Sequence, residues 1–227
     1  MSPFVNPVYI ISILIALSVH ECAHAFVADR LGDPTARHLG RLTLNPIAHI
    51  DPIGALLFLT VGFGWGKPVP VDPRHFRNHR RDTALTALAG PFSNFILAFV
   101  AFVAIRIFFP TMLGAQPLAV IGLAIGRTGA VSTIVSQILM SSVFVNLGLM
   151  AFNLLPIAPL DGSKIIHPFI PLRYEDLYEE FLRRGIFILI GLLLAENLLH
   201  FPLLITWITW IVQWALRLMA VVTGVQI

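Results

Sequence analysis

A histidine, a glutamate and a second histidine lie close together in the stretch SVHECAHAF, at positions 20, 21 and 24. A helix turns by about 100° per residue, so His20 and His24 are only about 40° apart around the helix axis. Their two imidazoles can therefore bind one metal ion. Glu21 lies about 60° from His24, near enough to reach a water molecule on that ion. Cys22 is about 160° from His24 and is expected to be a packing residue.

The pattern H-E-x-x-H is the signature of zinc hydrolases in which the glutamate is the general base. Catalytic zinc takes three protein ligands and leaves one position for water, so a third ligand is expected. Asp161 is the favoured candidate because it lies in NLLPIAPLDG, where two prolines break a helix and a glycine follows. The alternative is that Asp161 caps the next segment. Other residues of suitable type are Glu196, Glu175, Glu179, Glu180, His38, His49 and Asp51.

The composition around this motif is that of an integral membrane protein. Of the 227 residues, 57% are hydrophobic and 12% are charged, and the mean hydropathy is +0.84. Soluble domains carry about 25% charged residues. The length predicts one transmembrane domain, residues 1–227, with a core at 8–162 and a C-terminal helical hairpin at 184–223. The single cysteine excludes an intrachain disulfide and a multi-cysteine metal site.

The apolar runs predict five helices, at about residues 7–31, 82–109, 132–155, 184–199 and 203–223, of which the fourth is short for a span. Residues 200–202 form a tight hairpin between the last two. Two shorter apolar pieces, residues 53–66 and 118–125, are interpreted as re-entrant or interfacial segments. Residues 172–181 are amphipathic and are expected to lie at the interface. The predicted fold class is therefore an all-α polytopic membrane protein with about five transmembrane helices and a small β-hairpin or re-entrant segment after the first helix.

The distribution of basic residues predicts the orientation of the chain. Lysine and arginine cluster in residues 67–81 and 164–184, whereas the opposite connections hold few. The positive-inside rule places the N-terminus outside, the C-terminus in the cytoplasm and His20 toward the cytoplasmic side of the cell membrane. The net charge of +3 is explained in the same way and does not indicate a nucleic-acid partner. The first apolar run is expected to be a retained helix, because the preceding MSPFVNP has no basic residue.

Several motifs together resemble those of the site-2 proteases, which are intramembrane zinc metalloproteases. HECAH on a first helix and N-x-x-P-x-x-P-L-D-G on a later one carry most of this resemblance, and GPFSN at 90–94 resembles the family's G-P-x-x-N. The stretches RLTLNPIAHIDPIG and GWGKPVPVDPRHFRNHRRD resemble the loop that connects these motifs in the compact prokaryotic branch. The resemblance covers about residues 12–162.

The resemblance implies that the protein cleaves peptide bonds in or near transmembrane segments of other membrane proteins. It implies one zinc ion per chain and Glu21 as the residue that activates water. Asn94 and Asn153 would hold substrate backbone or the oxyanion, and their alternative role is hydrogen bonding between helices. The implied zinc ligands are His20, His24 and Asp161.

A helical substrate must be unwound before its peptide bonds can be attacked, and KPVPVDP suggests how. Pro68 and Pro70 alternate with Val69 and Val71, so in an extended strand the two valine N–H groups face the same edge. We expect this segment and the preceding LTVGFG to form a small sheet to which substrate adds as a strand. The alternative is a plain surface loop.

A different class of function also fits a pair of histidines in a membrane. A metal-ion transporter, or a non-catalytic membrane protein with a metal site, would use His20 and His24 without needing Glu21 beside them. A transporter, however, should carry ligands on several spans and on both sides of the membrane, and here the candidates cluster on one side. The expected partners are the lipid bilayer and a transmembrane protein or peptide substrate.

Overall fold

The computed structural model describes residues 6–61, 64–110, 130–199 and 202–225. The predicted segment at 118–125 and part of the predicted hairpin at 200–202 lie outside these residues. Longer helices are α1 (Pro7–Arg30), α3 (Pro52–Val61), α4 (His79–Phe108), α5 (Ala130–Asn153), α7 (Glu175–Leu199) and α8 (Leu203–Thr223). Two short helices are α2 (Thr35–His38) and α6 (Asp161–Ile166), and 3₁₀ turns occupy Pro46–His49, Pro73–His75, His167–Phe169 and Leu172–Tyr174.

Four of these helices, α1, α4, α5 and α8, are long and apolar enough to cross a membrane. They agree within three residues with four of the five predicted helices. The fifth, predicted at 184–199, is the second half of α7, which begins at Glu175 and includes most of the predicted interfacial segment. Helix α7 continues through Gly185. The missing side chain allows close packing there, because a Cβ would lie 2.4 Å from that of Ala158.

Side-chain caps explain where two of the spanning helices begin. Asn6 precedes Pro7, and its side-chain oxygen accepts the N–H of Val8 at 2.9 Å. Asn78 does the same for α4 through the N–H of Arg81 at 3.1 Å. Both side chains satisfy N–H groups that have no partner within the helix.

The core lies where α4, α5 and α8 meet, and many of its residues are small. Ala98 and Ala101 of α4 and Ala215 of α8 are at most 5% exposed. Small residues let helix backbones approach closely in a membrane, where packing replaces the hydrophobic effect between helices. The larger buried members of the cluster are Phe102, Ile105, Val143, Leu147, Met150 and Met219. This packing fixes α4 and α5 side by side behind α1.

The segment after α1 differs from the predicted hairpin. Within the described residues there is no strand, and the only pairing is an isolated antiparallel bridge between Ile50 and Gly66. Residues 59–61, expected in a hairpin, form the last turn of α3. A helix satisfies its own backbone groups, which a two-stranded hairpin cannot do on both edges in an apolar environment. The chain then folds back so closely on α3 that a Cβ at Gly54 would lie 2.1 Å from the carbonyl oxygen of Trp65.

Candidate metal and active site

The two histidines of the HECAH motif lie one turn apart on α1 and face each other. Their Nε2 atoms are 3.0 Å apart, and the rings meet edge to face with centroids 4.6 Å apart. Both side chains are buried, at 4% exposed for His20 and 8% for His24. The predicted geometry on one helix face is therefore present.

Asp161 completes the group from a distant part of the chain. It is the first residue of α6, just after the break at Pro156 and Pro159, and it is 7% exposed. Its Oδ2 lies 3.2 Å from Nε2 of His20 and 3.2 Å from Nε2 of His24. Ligand atoms of these three residues lie within 4.8 Å of one another. Among the described residues this is the group whose geometry could hold a metal ion.

The donor atoms fit zinc because all three present lone pairs to the same point. Nδ1 of His24 lies 2.7 Å from the carbonyl oxygen of Thr86. A carbonyl only accepts hydrogen bonds, so His24 carries its proton on Nδ1 and leaves Nε2 free. Oδ2 of Asp161 is buried without a hydrogen-bond partner. Ligands about 2.0–2.1 Å from a tetrahedral zinc ion are about 3.3 Å apart, close to the observed separations.

A glycine of α4 makes room for this group. A Cβ at Gly90 would lie 2.4 Å from Nε2 of His24 and 2.6 Å from Nε2 of His20. Real side chains do not approach so closely, so any other residue at this position would push the imidazoles away. Gly90 is therefore part of the cradle that lets two spanning helices meet at the site.

Glu21 is buried beside the histidines, at 9% exposed, and its carboxylate is hydrogen-bonded to a backbone N–H group. Its Oε2 accepts the backbone N–H of Val69 at 2.8 Å. Residues 67–71, which we call the crossing segment, therefore run across the mouth of the site. The segment is anchored at its start by the N–H of Lys67, which donates to the carbonyl of His49 at 2.9 Å. The guanidinium of Arg41 also donates to the carbonyl of Lys67 at 2.7 Å.

One cavity of about 1350 Å³ connects these residues. His20, Glu21, His24 and Asp161 form part of its wall, and the rest is mostly apolar, with residues of α1, α3 and α5 among it. Asn153, Val69 and Val71 also line it. The cavity extends along α1 as far as Tyr9, about 15 residues or 22 Å from His24 along the helix.

The family model described as Peptidase family M50 matches residues 8–195. The chain belongs to peptidase family M50. This membership confirms the resemblance to the site-2 proteases and the predicted class of enzyme, a metalloprotease. The M50 match spans α1 to α6 and most of α7, so the whole candidate site falls within it.

Relatives with related names support the same assignment of this M50 peptidase. The protein named "Putative zinc metalloprotease YwhC" from Bacillus subtilis (strain 168) is 42% identical over 165 residues, which cover 73% of this chain and 70% of the relative. Rip2 of Mycobacterium tuberculosis (strain H37Rv), which carries the same designation, is 33% identical over 161 residues, 68% of this chain and 54% of Rip2. Rip2 of Mycolicibacterium smegmatis is 28% identical over 208 residues, 88% of this chain and 70% of the relative. No solved structure matches this chain significantly.

The two predicted asparagines of the M50 site have different surroundings. Asn94 is fully buried behind His20, and its Oδ1 lies 2.6 Å from Nδ1 of that ring. Its Nδ2 donates to Asn146 at 2.8 Å and to the carbonyl of Ala16 at 3.2 Å. Both amide hydrogens and one lone pair of Oδ1 are thus used in contacts between helices. Asn153 lines the cavity and donates to the carbonyl of Leu149 in its own helix at 3.0 Å.

The other candidate ligands do not join the metal group. Glu196 lines the cavity but accepts the N–H of Ile205 at 3.1 Å, at the start of α8. His49 is fully buried and contacts the carbonyl of Thr43 at 2.8 Å. Asp51 caps α3 through the N–H groups of Ile53 and Gly54. Glu175 pairs with His167 at 2.6 Å.

Two residues of this site were missed by sequence reasoning. Gly90 is inside the quoted GPFSN motif, but its contact with the histidines depends on how α4 packs on α1. Asn146 lies seven residues before Asn153, which is two turns along the same helix. That spacing places both amides on one face of α5 and is the signal that could have identified Asn146.

Proposed function

We propose that this M50 peptidase is an intramembrane zinc metalloprotease that hydrolyses peptide bonds in or near transmembrane segments of other proteins. His20, His24 and Asp161 hold the zinc ion, and Glu21 is the general base. The observation that carries this proposal is the convergence of three lone-pair donors beside a buried glutamate in one cavity. The shared wall supports a single site for metal, base and peptide.

Zinc bound in such a site would act as a Lewis acid on water and on the scissile carbonyl. Glu21 takes a proton from the attacking water as the carbon–oxygen bond forms, and later donates it to the leaving amine as the carbon–nitrogen bond breaks. Although Oε2 of Glu21 accepts the Val69 N–H, the carboxylate has a second oxygen for the water. Asn153 is proposed to donate to the oxygen that becomes negative, since it lines the cavity from the end of α5.

The crossing segment is the proposed docking edge for substrate. In an extended segment the N–H groups of Val69 and Val71 face the same edge, and that of Val69 points at Glu21. A substrate strand pairing along this edge would lie directly beside the general base. Its carbonyl would take over the Val69 N–H, which links peptide binding to release of Glu21 for water.

We further propose that the chain forms one domain, residues 1–227, with α7 as a fifth membrane-embedded helix beside the four apolar spans. The clusters of basic residues support an N-terminus outside the cell membrane and a C-terminus in the cytoplasm. The site then faces the cytoplasmic side, from which water reaches it. No contact of the described residues favours the metal-transporter alternative, since the grouped ligands lie at one end of the bundle.

Zinc content and cleavage of a model transmembrane substrate in detergent, compared for the wild type and Glu21→Gln, test this function. Glutamine keeps the size of the side chain and can still contact the Val69 N–H, but it cannot accept a proton. We expect one zinc ion per chain in both proteins and a loss of cleavage of at least about 10²-fold in the variant. Equal cleavage by both proteins would exclude Glu21 as the base.

A further inference from the structure

Two fully buried asparagines lie behind the candidate metal site, on helices that face each other. Asn94 of α4 and Asn146 of α5 are both 0% exposed. An amide without hydrogen bonds costs several kcal/mol to bury in an apolar environment. Such a pair inside a membrane bundle is expected to have a specific role.

Two backbone carbonyls determine which way each amide points. Nδ2 of Asn94 lies 3.2 Å from the carbonyl oxygen of Ala16, and Nδ2 of Asn146 lies 2.8 Å from that of Ser142. A carbonyl accepts and never donates, so each amide must direct its NH₂ group toward its carbonyl. The reverse orientation would bring two oxygens together in both places.

This orientation fixes the direction of the remaining hydrogen bonds. Asn146 donates within its own helix, also to the hydroxyl of Ser142 at 3.2 Å, so its Oδ1 is left to accept. It accepts from Nδ2 of Asn94 at 2.8 Å. Oδ1 of Asn94 must then accept from Nδ1 of His20, which is 2.6 Å away. The proton of His20 is therefore held on Nδ1, and the lone pair of Nε2 faces Asp161.

The second histidine reaches the same state by a different route. Nδ1 of His24 faces the backbone carbonyl of Thr86 at 2.7 Å, and no side chain is needed to orient that carbonyl. A backbone carbonyl of α4 thus fixes the tautomer of His24. That of His20 depends on the side chain of Asn94, whose amide is held by the carbonyl of Ala16 and by Oδ1 of Asn146 together.

We propose that Asn146 is a positioning residue that acts through Asn94 to hold His20 in the tautomer that binds metal. This inference rests on the proposed role of His20 as a zinc ligand. Outer partners of ligating histidines fix ring orientation, and their loss typically costs about 10–100-fold in metal affinity. Asn146 is two hydrogen bonds from the ring and is not part of the cavity wall, so an effect on zinc cannot come from contact with substrate.

Zinc affinity of the full-length protein in detergent, measured by competition with a chelator, tests the proposal. Asn146→Leu has a similar volume but cannot accept from Asn94, and we expect zinc to bind about 10–100-fold more weakly. Asn146→Asp should restore most of the affinity as the neutral acid, because its hydroxyl can donate to Ser142 while its carbonyl accepts from Asn94. Ser136→Ala is the matched control. Within the part of the chain that the structure describes, this buried serine of α5 bonds to the carbonyl of Thr133 in its own helix, and its loss should leave zinc affinity unchanged.

Nitrogen-15 NMR of the histidine rings in the metal-free protein gives a readout that a general loss of packing would not move. We expect His20 to carry its proton on Nδ1 in the wild type and to become a mixture of tautomers in Asn146→Leu, while His24 stays unchanged. Wild-type zinc affinity in Asn146→Leu, or an unchanged His20 tautomer, would overturn the proposal. If the wild type bound no zinc but His20 showed the Nδ1–H tautomer, the proposed function would fail. The hydrogen-bond chain from Asn146 through Asn94 to His20 would stand.

Discussion

The back and the front of the site differ in what holds them. Behind His20 and His24 lie two spanning helices, α4 and α5, which contribute Gly90, the Thr86 carbonyl and the buried asparagines. In front of Glu21 lies the crossing segment, which is anchored at Lys67, bonds to Glu21 through the N–H of Val69 and is followed by a second anchor at Asp72. The proposed metal site is thus held by packed helices, whereas the proposed docking edge for peptide is one segment of irregular backbone. The two functions should respond to different substitutions.

The largest effect is expected from removing the carboxylate that joins the two histidines. Asp161→Ala should weaken zinc binding by more than about 100-fold, beyond the range of changes in outer partners. The expected loss of cleavage is of the same order. Asp51→Asn is the matched control, because Asp51 lines the same cavity but caps α3. Equal zinc affinity of Asp161→Ala and the wild type in chelator competition would show that the third ligand lies elsewhere.

The next effect tests the tight packing at the back. Gly90→Ala places a methyl group where the histidine Nε2 atoms lie, so zinc affinity should fall about 10–100-fold by displacement of the rings. Gly191→Ala, in α7, is the control because a Cβ there meets nothing within 4 Å. That control should be neutral or stabilise the protein by about 0.5–1 kcal/mol. Isothermal titration calorimetry with zinc measures the affinity of both variants. A normal affinity in Gly90→Ala would mean that the helices can separate without cost.

At the front, Val69→Pro should separate cleavage from metal binding. Proline removes the N–H that Glu21 accepts and that the docking proposal assigns to substrate. We expect cleavage to fall by about 10-fold or more, in line with loss of one or two hydrogen bonds, with zinc affinity unchanged. Val69→Ala keeps the N–H and should lose much less. If Val69→Pro also weakened zinc binding, the front and the back of the site would not act independently.

The smallest effect concerns the far anchor of the crossing segment. Asp33, fully buried, accepts the N–H of Asp72 at 2.7 Å and that of Thr35 at 3.0 Å. Burial alone would raise the pKa of the Asp33 carboxyl, but these bonds, the Thr35 hydroxyl and His75, whose Nδ1 lies 3.2 Å from Oδ1 of Asp33, outweigh it and hold the pKa below its usual value. A lowered pKa means that the stabilisation is complete above the unfolded pKa of about 3.9 and is lost as pH falls below it.

Asp33→Asn should therefore destabilise the protein at pH 7 by about 1–3 kcal/mol, because the amide presents a donor where an acceptor is needed. The difference in melting temperature from the wild type should shrink below about pH 4. Glu180→Gln is the control, since the exposed pair with Arg184 contributes at most about 0.5 kcal/mol. A difference that grows as pH falls below about 4 would reverse the sign of the linkage and contradict the assignment.

The pairing of His20 and His24 could be predicted from the sequence, because their i and i+4 spacing places them on one helix face. The residues alone left several candidates for a third ligand. Asp161 was favoured by the break in the helix before it and by the resemblance to the site-2 proteases, and its approach to the histidines depends on packing between distant parts of the chain. The roles of Asn94 and Asn146 could not be predicted, because they depend on how helices more than 50 residues apart in the chain face each other. The Val69 N–H was expected on an open edge, but contact with Glu21, 48 residues earlier, decides where it points.

The observed helix bounds follow the apolar runs of the sequence except in two places, the start of α7 and the end of α3. At α7 the sequence changes from charged to apolar at Arg184, which suggested a boundary, yet the helix runs through it from Glu175. Acidic residues in its first turn stabilise the start of that helix. At residues 59–61, glycines that follow suggested a hairpin, whereas the backbone continues α3 to its last turn.

The cavity beside the metal group has a pharmacological consequence. Its volume of about 1350 Å³ exceeds the range of about 300–1,000 Å³ that suits drug-sized ligands, and its wall is mostly apolar. A lipophilic compound that carries a zinc-chelating head, such as a hydroxamate, would place the head at Asp161 and its tail along α1. The length of that tail, rather than the head, would then set selectivity over soluble metalloproteases, whose clefts open to water.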